Sequence, residues 1–295
     1  MKLAFIVQRY GTEILGGAEY ACRLLAEHLV QRHEIEVLTT CARDYITWKN
    51  EYPEGLDRVR AVTVRRFANA RTRDIAAFDR FSDWIYHHPH DRSDEMEWLK
   101  QQGPWCPALI DHLNRHHRQY DALVFFTYLY APTVLGLSID PARSILVPAA
   151  HDEPPIHLGI FREALSLPAG IAYYTEVERK FLTTHFSIRA LTEETIGCGV
   201  DLAPQAGRHA EERGLLEATS DDAAEEAAEG PSPSRVWSHL STRGATFRRR
   251  HRLHGPFVLY GGRIDPGKGC EELIEYFNAY VESGGDASLA LMGVK

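Results

Sequence analysis

The chain has 295 residues, 44% hydrophobic and 25% charged, an ordinary globular usage with length enough for two domains. A formal net charge of -8 argues against a broad nucleic-acid-binding or anionic-membrane surface. No run approaches the roughly 18 apolar residues of a membrane span. The apolar run at residues 3–7 is also shorter than the roughly 7–15 residues of a signal-peptide core. The expected location is the cytoplasm, with any attachment at the inner membrane face peripheral.

Residues 3–7 predict a strand, and 17–32 a helix with Ala18, Ala21, Leu25 and Leu29 at helical spacing. Between them Gly11, Gly16 and Gly17 punctuate a turn. Glycine lets backbone N–H groups approach an anion at the positive end of a helix. A tight turn with close helix–strand packing explains the same residues. The G-x-G-x-x-G dinucleotide fingerprint is absent.

Strands are expected over 35–40 and 62–67. The near-continuous apolar runs at 121–126 and 144–148 suit strands covered on both faces, as in a parallel sheet. Helices are expected over 109–117 and 176–185. This β/α alternation predicts an α/β doubly wound sheet. His151, Asp152 and Glu153 directly follow the 144–148 strand, where open α/β sheets bind ligands. A histidine there can donate or accept hydrogen bonds near neutral pH, and two carboxylates beside it could orient it. A polar solvated loop is the alternative.

Residues 211–229 hold eight acidic side chains against one arginine, and a Gly-Pro-Ser-Pro-Ser run follows. Such a stretch offers little apolar surface to offset ordering entropy, so it is expected to be mobile and dispensable. A new β/α unit then begins: a strand at 257–260, a glycine-rich loop at 261–269, a helix at 270–283 and a strand at 287–292. Two strands in about 40 residues are too few to close a domain, so this second domain is expected to be incomplete. Arg263 and Lys268 on the loop can clamp a diphosphate, one as a planar fork and the other as a point charge. Gly269, not Ser or Thr, follows Lys268, so the loop is not a P-loop.

Other features carry bland readings. Cys22, Cys41, Cys106, Cys198 and Cys270 are scattered without a CxxC pair, so neither a disulfide framework nor a zinc ribbon is expected. His112 and His116 lack an HExxH frame, and His87, His88 and His90 flank Pro89 in an expected loop. Solvated helix faces account for the first pair and for Arg248 to Arg250, and the aromatic run at 125–130 reads as core. No metal site is expected.

Taken in order, Gly16-Gly17-Ala-Glu19, His151-Asp152, Gly199-Val-Asp201, Gly262-Arg263 and Lys268-Gly269 resemble the retaining, metal-independent glycosyltransferases of family 4. The resemblance implies a GT-B fold: two Rossmann-like domains, here an acceptor-side domain at 1–203 and a partial nucleotide-sugar-binding domain at 255–295, with a linker at 204–254. It implies a nucleotide-sugar substrate and no cofactor. The acceptor would be a glycan, lipid-linked or small-molecule hydroxyl, and no nucleic acid is expected as a partner. Arg263 and Lys268 would neutralise the departing diphosphate. Gly16 and Gly17 would bring backbone donors to the phosphates or the acceptor, and His151 would act at the reacting sugar.

Two departures stand against the family pattern. The Glu-x7-Glu element that contacts donor sugar and ribose has no counterpart after Lys268, and Cys198 replaces the usual Asn before Gly-Val-Asp. Weak donor binding and little turnover are therefore expected of residues 1–295 alone. The competing reading is a non-catalytic acceptor- or nucleotide-binding module. An NAD-dependent oxidoreductase is disfavoured by the missing fingerprint.

Overall fold

The computed structural model describes residues 1–201, 245, 247–262, 264 and 268–293. The chain divides into two compact units, Met1–Pro204 and Gln205–Lys295. Most of the 204–254 segment, including the acidic stretch, and Arg263 lie outside the described residues.

The first unit is built on one eight-stranded sheet. Its strands in chain order are β1 (Lys2–Ile6), β2 (Glu34–Thr40), β3 (Gly55–Val59), β4 (Val62–Phe67), β5 (Ala122–Phe126), β6 (Ser144–Val147), β7 (Gly170–Tyr173) and β8 (Thr192–Thr195). They lie in the order β3-β4-β2-β1-β5-β6-β7-β8, all parallel except the edge strand β3. At the centre, β1 sits between β2 and β5, with Phe5 opposite Val37 on one side and Val124 on the other. Parallel strands require crossovers, and the connections carry helices.

The period-2 alternation of β1 divides the core. Leu3, Phe5 and Val7 pack with Cys22 and Ala26 of α1 (Gly17–Leu29). Ala4 and Ile6 point to the opposite face. There they join Ile85 of α2 (Ile75–His87), Trp98 and Leu99 of α3 (Arg92–Gln102), and Leu109 and Leu113 of α4 (Pro107–His116). Ala131 of α5 (Ala131–Gly136), Phe161 of α6 (Gly159–Leu165) and Leu182 of α7 (Glu176–His185) complete that layer. Each fully buried Leu, Ile or Phe among them contributes roughly 1.5–3 kcal/mol on burial. On the α1 side, over β5 to β7, an apolar groove of about 590 Å³ stays open, with His28 and Asp201 at its rim.

Several elements depart from the sequence expectation. Helix α2 runs through His87, so that residue is helical rather than in a loop. Helix α3 has little apolar periodicity. A capping box between Asp91 and Asp94 starts it, and Trp98 and Leu99 anchor it. His112 is not on a solvated face: it packs against Phe67 at 5.1 Å and His116 at 4.4 Å between ring centroids.

In the second unit, β9 (Phe257–Gly261) and β10 (Ser288–Met292) pair in parallel, joined through α8 (Cys270–Glu282). Arg248 packs over Phe257 at 4.7 Å and donates to the carbonyl of Gly255, so it is held rather than solvated, unlike Arg249 and Arg250. Among the described residues no helix is long and apolar enough to cross a membrane.

Candidate functional site

The carboxyl ends of the central parallel strands bring four loops of the first unit together, those after β1, β5, β6 and β7. His151 stands on the loop after β6. Ala149 takes a left-handed backbone conformation there, φ 51°, which a non-glycine residue adopts only when its surroundings hold it. Glu178, in the first turn of α7, provides that hold. Its Oε1 accepts the N–H of Ala150 at 2.7 Å, and its Oε2 accepts the N–H of Tyr174 at 2.6 Å. One buried carboxylate thus ties the end of β6 to the end of β7. Burial pushes the Glu178 carboxyl above the usual range, while the N–H donors hold it down in part.

The His151 side chain itself is 72% exposed, with Nε2 3.4 Å from Oε2 of Glu153. Oε1 of Glu153 accepts the hydroxyl of Tyr128 at 2.5 Å. Asp152 turns away and pairs with His157 at 2.8 Å, so of the two carboxylates beside His151 only Glu153 faces its ring.

The two candidate glycines have different environments. Gly17 opens α1, is exposed, and has open space where a side chain would stand. The first-turn N–H groups of a helix have no intrahelical partner, so this position can offer them to an anion. Gly16 is filled from within the chain: a Cβ there would stand 1.8 Å from Oε2 of Glu19. Glu19 turns back to meet Arg9, whose Nε and Nη2 donate to Oε1 at 2.9 and 2.6 Å, while Nη1 donates to the carbonyl of Arg43 at 3.0 Å. Both partners are nearly inaccessible, with 8% and 5% exposure.

An aromatic wall adjoins this pair. Arg9 lies over the Tyr45 ring at 5.3 Å, and Trp48 meets Tyr130 edge-on at 5.3 Å. Arg73 lies over Trp48 at 5.4 Å and donates to the carbonyl of Ile46 at 2.7 Å. Trp48 in turn donates to the carbonyl of Gln102 at 2.7 Å.

In the second unit Lys268 is exposed on the turn leading into α8, next to Gly269 in the left-handed conformation, φ 68°. Arg263, its expected partner, lies outside the described residues. Among the described residues no group of three or more His, Cys, Asp or Glu side chains is placed to hold a metal ion.

His151, Gly16 and Gly17 are candidates from the sequence; Arg9, Tyr128 and Glu178, which the structure places beside them, are not among those candidates. Arg9 and Tyr128 sit at strand ends, at the same kind of position that singled out His151. The Thr175-to-Glu178 spacing reads as a helix start, which conceals the reach of Glu178 across to Ala150.

No protein-family model and no curated protein sequence matches the chain. Its fold is that of GT-B proteins, an α/β architecture on a mostly parallel sheet. Sucrose-phosphate synthase from Thermosynechococcus elongatus is similar with a TM-score of 0.54 and 15% identity, over 99% of this chain and 62% of that one. The alpha,alpha-trehalose 6-phosphate synthase from Burkholderia multivorans is similar with a TM-score of 0.54 and 14% identity, over 99% of this chain and 65% of that one. The chain therefore spans a little under two thirds of the length of these structures.

Proposed function

We propose that this chain belongs to a glycosyltransferase that moves a sugar from a nucleotide-sugar donor to an acceptor hydroxyl, with retention and without a metal ion. The carrying observation is the Glu178 clamp, which holds the loop bearing His151 at the carboxyl edge of the sheet in a GT-B fold. In the reaction the bond from the anomeric carbon to the diphosphate oxygen breaks and the bond to the acceptor oxygen forms. The acceptor proton passes to the departing phosphate. Lys268 and Arg263 supply positive charge where negative charge develops, which lowers the barrier electrostatically. The open N-terminus of α1 at Gly17 offers backbone donors to an anionic group, and His151 holds a sugar hydroxyl beside the reacting carbon. The two similar structures are named for synthases of sugar phosphates. Phosphorylated sugars are thus the first acceptors to try, ahead of glycans and lipid-linked acceptors.

The test is transfer from a panel of UDP-, GDP- and ADP-sugars by a chain extended to the length of the similar structures, with calorimetry for donor binding. His151→Ala should lower the rate more than it weakens donor binding. Lys268→Ala should weaken donor binding by about tenfold, or 1.4 kcal/mol. Nucleotide-sugar binding with no transfer to any acceptor, in a chain extended to the length of the similar structures, would favour a binding module instead.

A further inference from the structure

The His151 side chain is exposed, yet its ring lies beside a carboxylate that is itself held from behind. Tyr128 is buried at 2% exposure, on the turn after β5, with its ring edge-on to Phe161 at 5.1 Å between centroids. The preceding residue, Thr127, takes a left-handed backbone, φ 62°, and its N–H donates to the carbonyl of Val147 at 2.8 Å. Tyr128 donates its own N–H to the carbonyl of Pro148 at 2.9 Å. This tyrosine is therefore locked to the end of β6, three residues before His151. Among the described residues its hydroxyl has one hydrogen-bond partner, Oε1 of Glu153 at 2.5 Å. That leaves Oε2 of Glu153 free to meet Nε2 of His151, 3.4 Å away, in contact without the alignment of a hydrogen bond.

We propose that Tyr128 and Glu153 are positioning residues for His151: Tyr128 fixes the carboxylate of Glu153, which holds the imidazole with its proton on Nε2 and its Nδ1 lone pair free to accept from a substrate hydroxyl. A carboxylate can only accept, so the ring nitrogen facing it must carry the proton, and the other nitrogen of a neutral ring is then an acceptor. The 3.4 Å contact is both longer than a formed hydrogen bond and not aligned as one. Such contacts in sites without substrate commonly tighten when the complex forms. The ligand class follows from the tautomer: His151 recognises a hydroxyl that donates, as a sugar hydroxyl does, and not a carbonyl or phosphate oxygen that only accepts. Tyr128 does not touch substrate. It acts through Glu153, and Glu153 through the ring.

This inference rests on the proposed transfer reaction for its purpose, but its test does not. The tautomer of His151 is read from the ring nitrogens of the ¹⁵N-histidine-labelled full chain, at a pH where the ring is neutral, and assigned by the signal lost in His151→Ala. The expected result is the Nε2–H form in the wild type, a shift toward a tautomer mixture in Tyr128→Phe, and a larger shift in Glu153→Ala. Tyr128→Phe removes one oxygen and keeps the packing against Phe161, so its fold is preserved, as a matching melting curve would verify. An Nδ1–H ring in the wild type, or tautomer ratios unchanged in both variants, overturns the proposal. Where transfer is measurable, Tyr128→Phe lowers kcat by about tenfold through misplacement of the ring and leaves the KM for donor unchanged. An equal loss in kcat and in donor affinity would instead mark a general structural role and overturn it. Absence of transfer with every donor and acceptor would count against the reaction, while the ring spectra still decide the positioning role.

Discussion

The carboxylate of Glu19 occupies the space that a side chain on Gly16 would need, with Oε2 1.8 Å from the position of a Cβ there. Gly16 has an ordinary extended backbone, φ -81° and ψ 142°, so the position calls for glycine because of the room Glu19 takes and not because of its own conformation. The room matters because Glu19 is the partner of the buried Arg9. Gly16→Ala displaces the carboxylate from its place against Arg9 and should cost about 1–3 kcal/mol, the scale of overpacking a filled site. Gly17→Ala, at an exposed position with open space, should stay within about 0.5 kcal/mol of the wild type. Urea denaturation of the two variants checks this, and equal stability would mean the pair relaxes without cost.

The His112 ring carries a pH dependence. Burial first, and then the charge of His116, push its pKa from 6.5 down to about 4. A histidine depressed in the folded state binds its proton more readily when unfolded. Its contribution to stability is therefore whole above pH 6.5 and is lost as pH falls toward 4. His112→Leu should flatten the dependence of Tm on pH across that window. An unchanged slope would place the acid sensitivity elsewhere.

Glu95 links two helices that are distant in sequence. From α3, Oε1 accepts the N–H of Gly159 at 2.7 Å and Oε2 that of Ile160 at 2.8 Å, which caps the start of α6. Removing it leaves those donors without the carboxylate in a buried setting. Glu95→Ala is expected to lose about 2 kcal/mol, the upper range for a lost helix cap, and Glu95→Gln less. The midpoint of chemical unfolding reports both.

Glu178 should separate stability from function. Glu178→Gln keeps one acceptor oxygen for the two N–H groups of Ala150 and Tyr174 and presents an amide to the other. The loop bearing His151 loses one of its holds while α7 keeps the Thr175 cap. A fall of about tenfold in transfer rate with a donor affinity near wild type is expected if the clamp places the histidine. A variant that transfers as fast as the wild type would reduce Glu178 to a helix cap.

Much of the architecture was legible from the chain itself. The apolar runs at 121–126 and 144–148 have too few polar residues for a half-exposed strand, and both hold inner strands of a parallel sheet, β5 and β6. The limits of α7 follow from its composition, with a threonine cap and two glutamates in its first turn. His151 was legible because a polar cluster directly after a buried strand must lie at the carboxyl edge of the sheet. Elements held by distant partners were not legible. The exposed edge strand β3 shows no alternation of its own and forms by pairing with β4. Only the tertiary structure decided that Gly16 is filled by Glu19 while Gly17 stays open, and that Glu153 rather than Asp152 faces His151. The physical reason is range. Periodicity, caps and turns act over three or four residues and are written in neighbouring letters, whereas a carboxylate finds its donor across the fold, 28 residues away for Glu178 and Ala150, and only the packed sheet brings the two within hydrogen-bond distance.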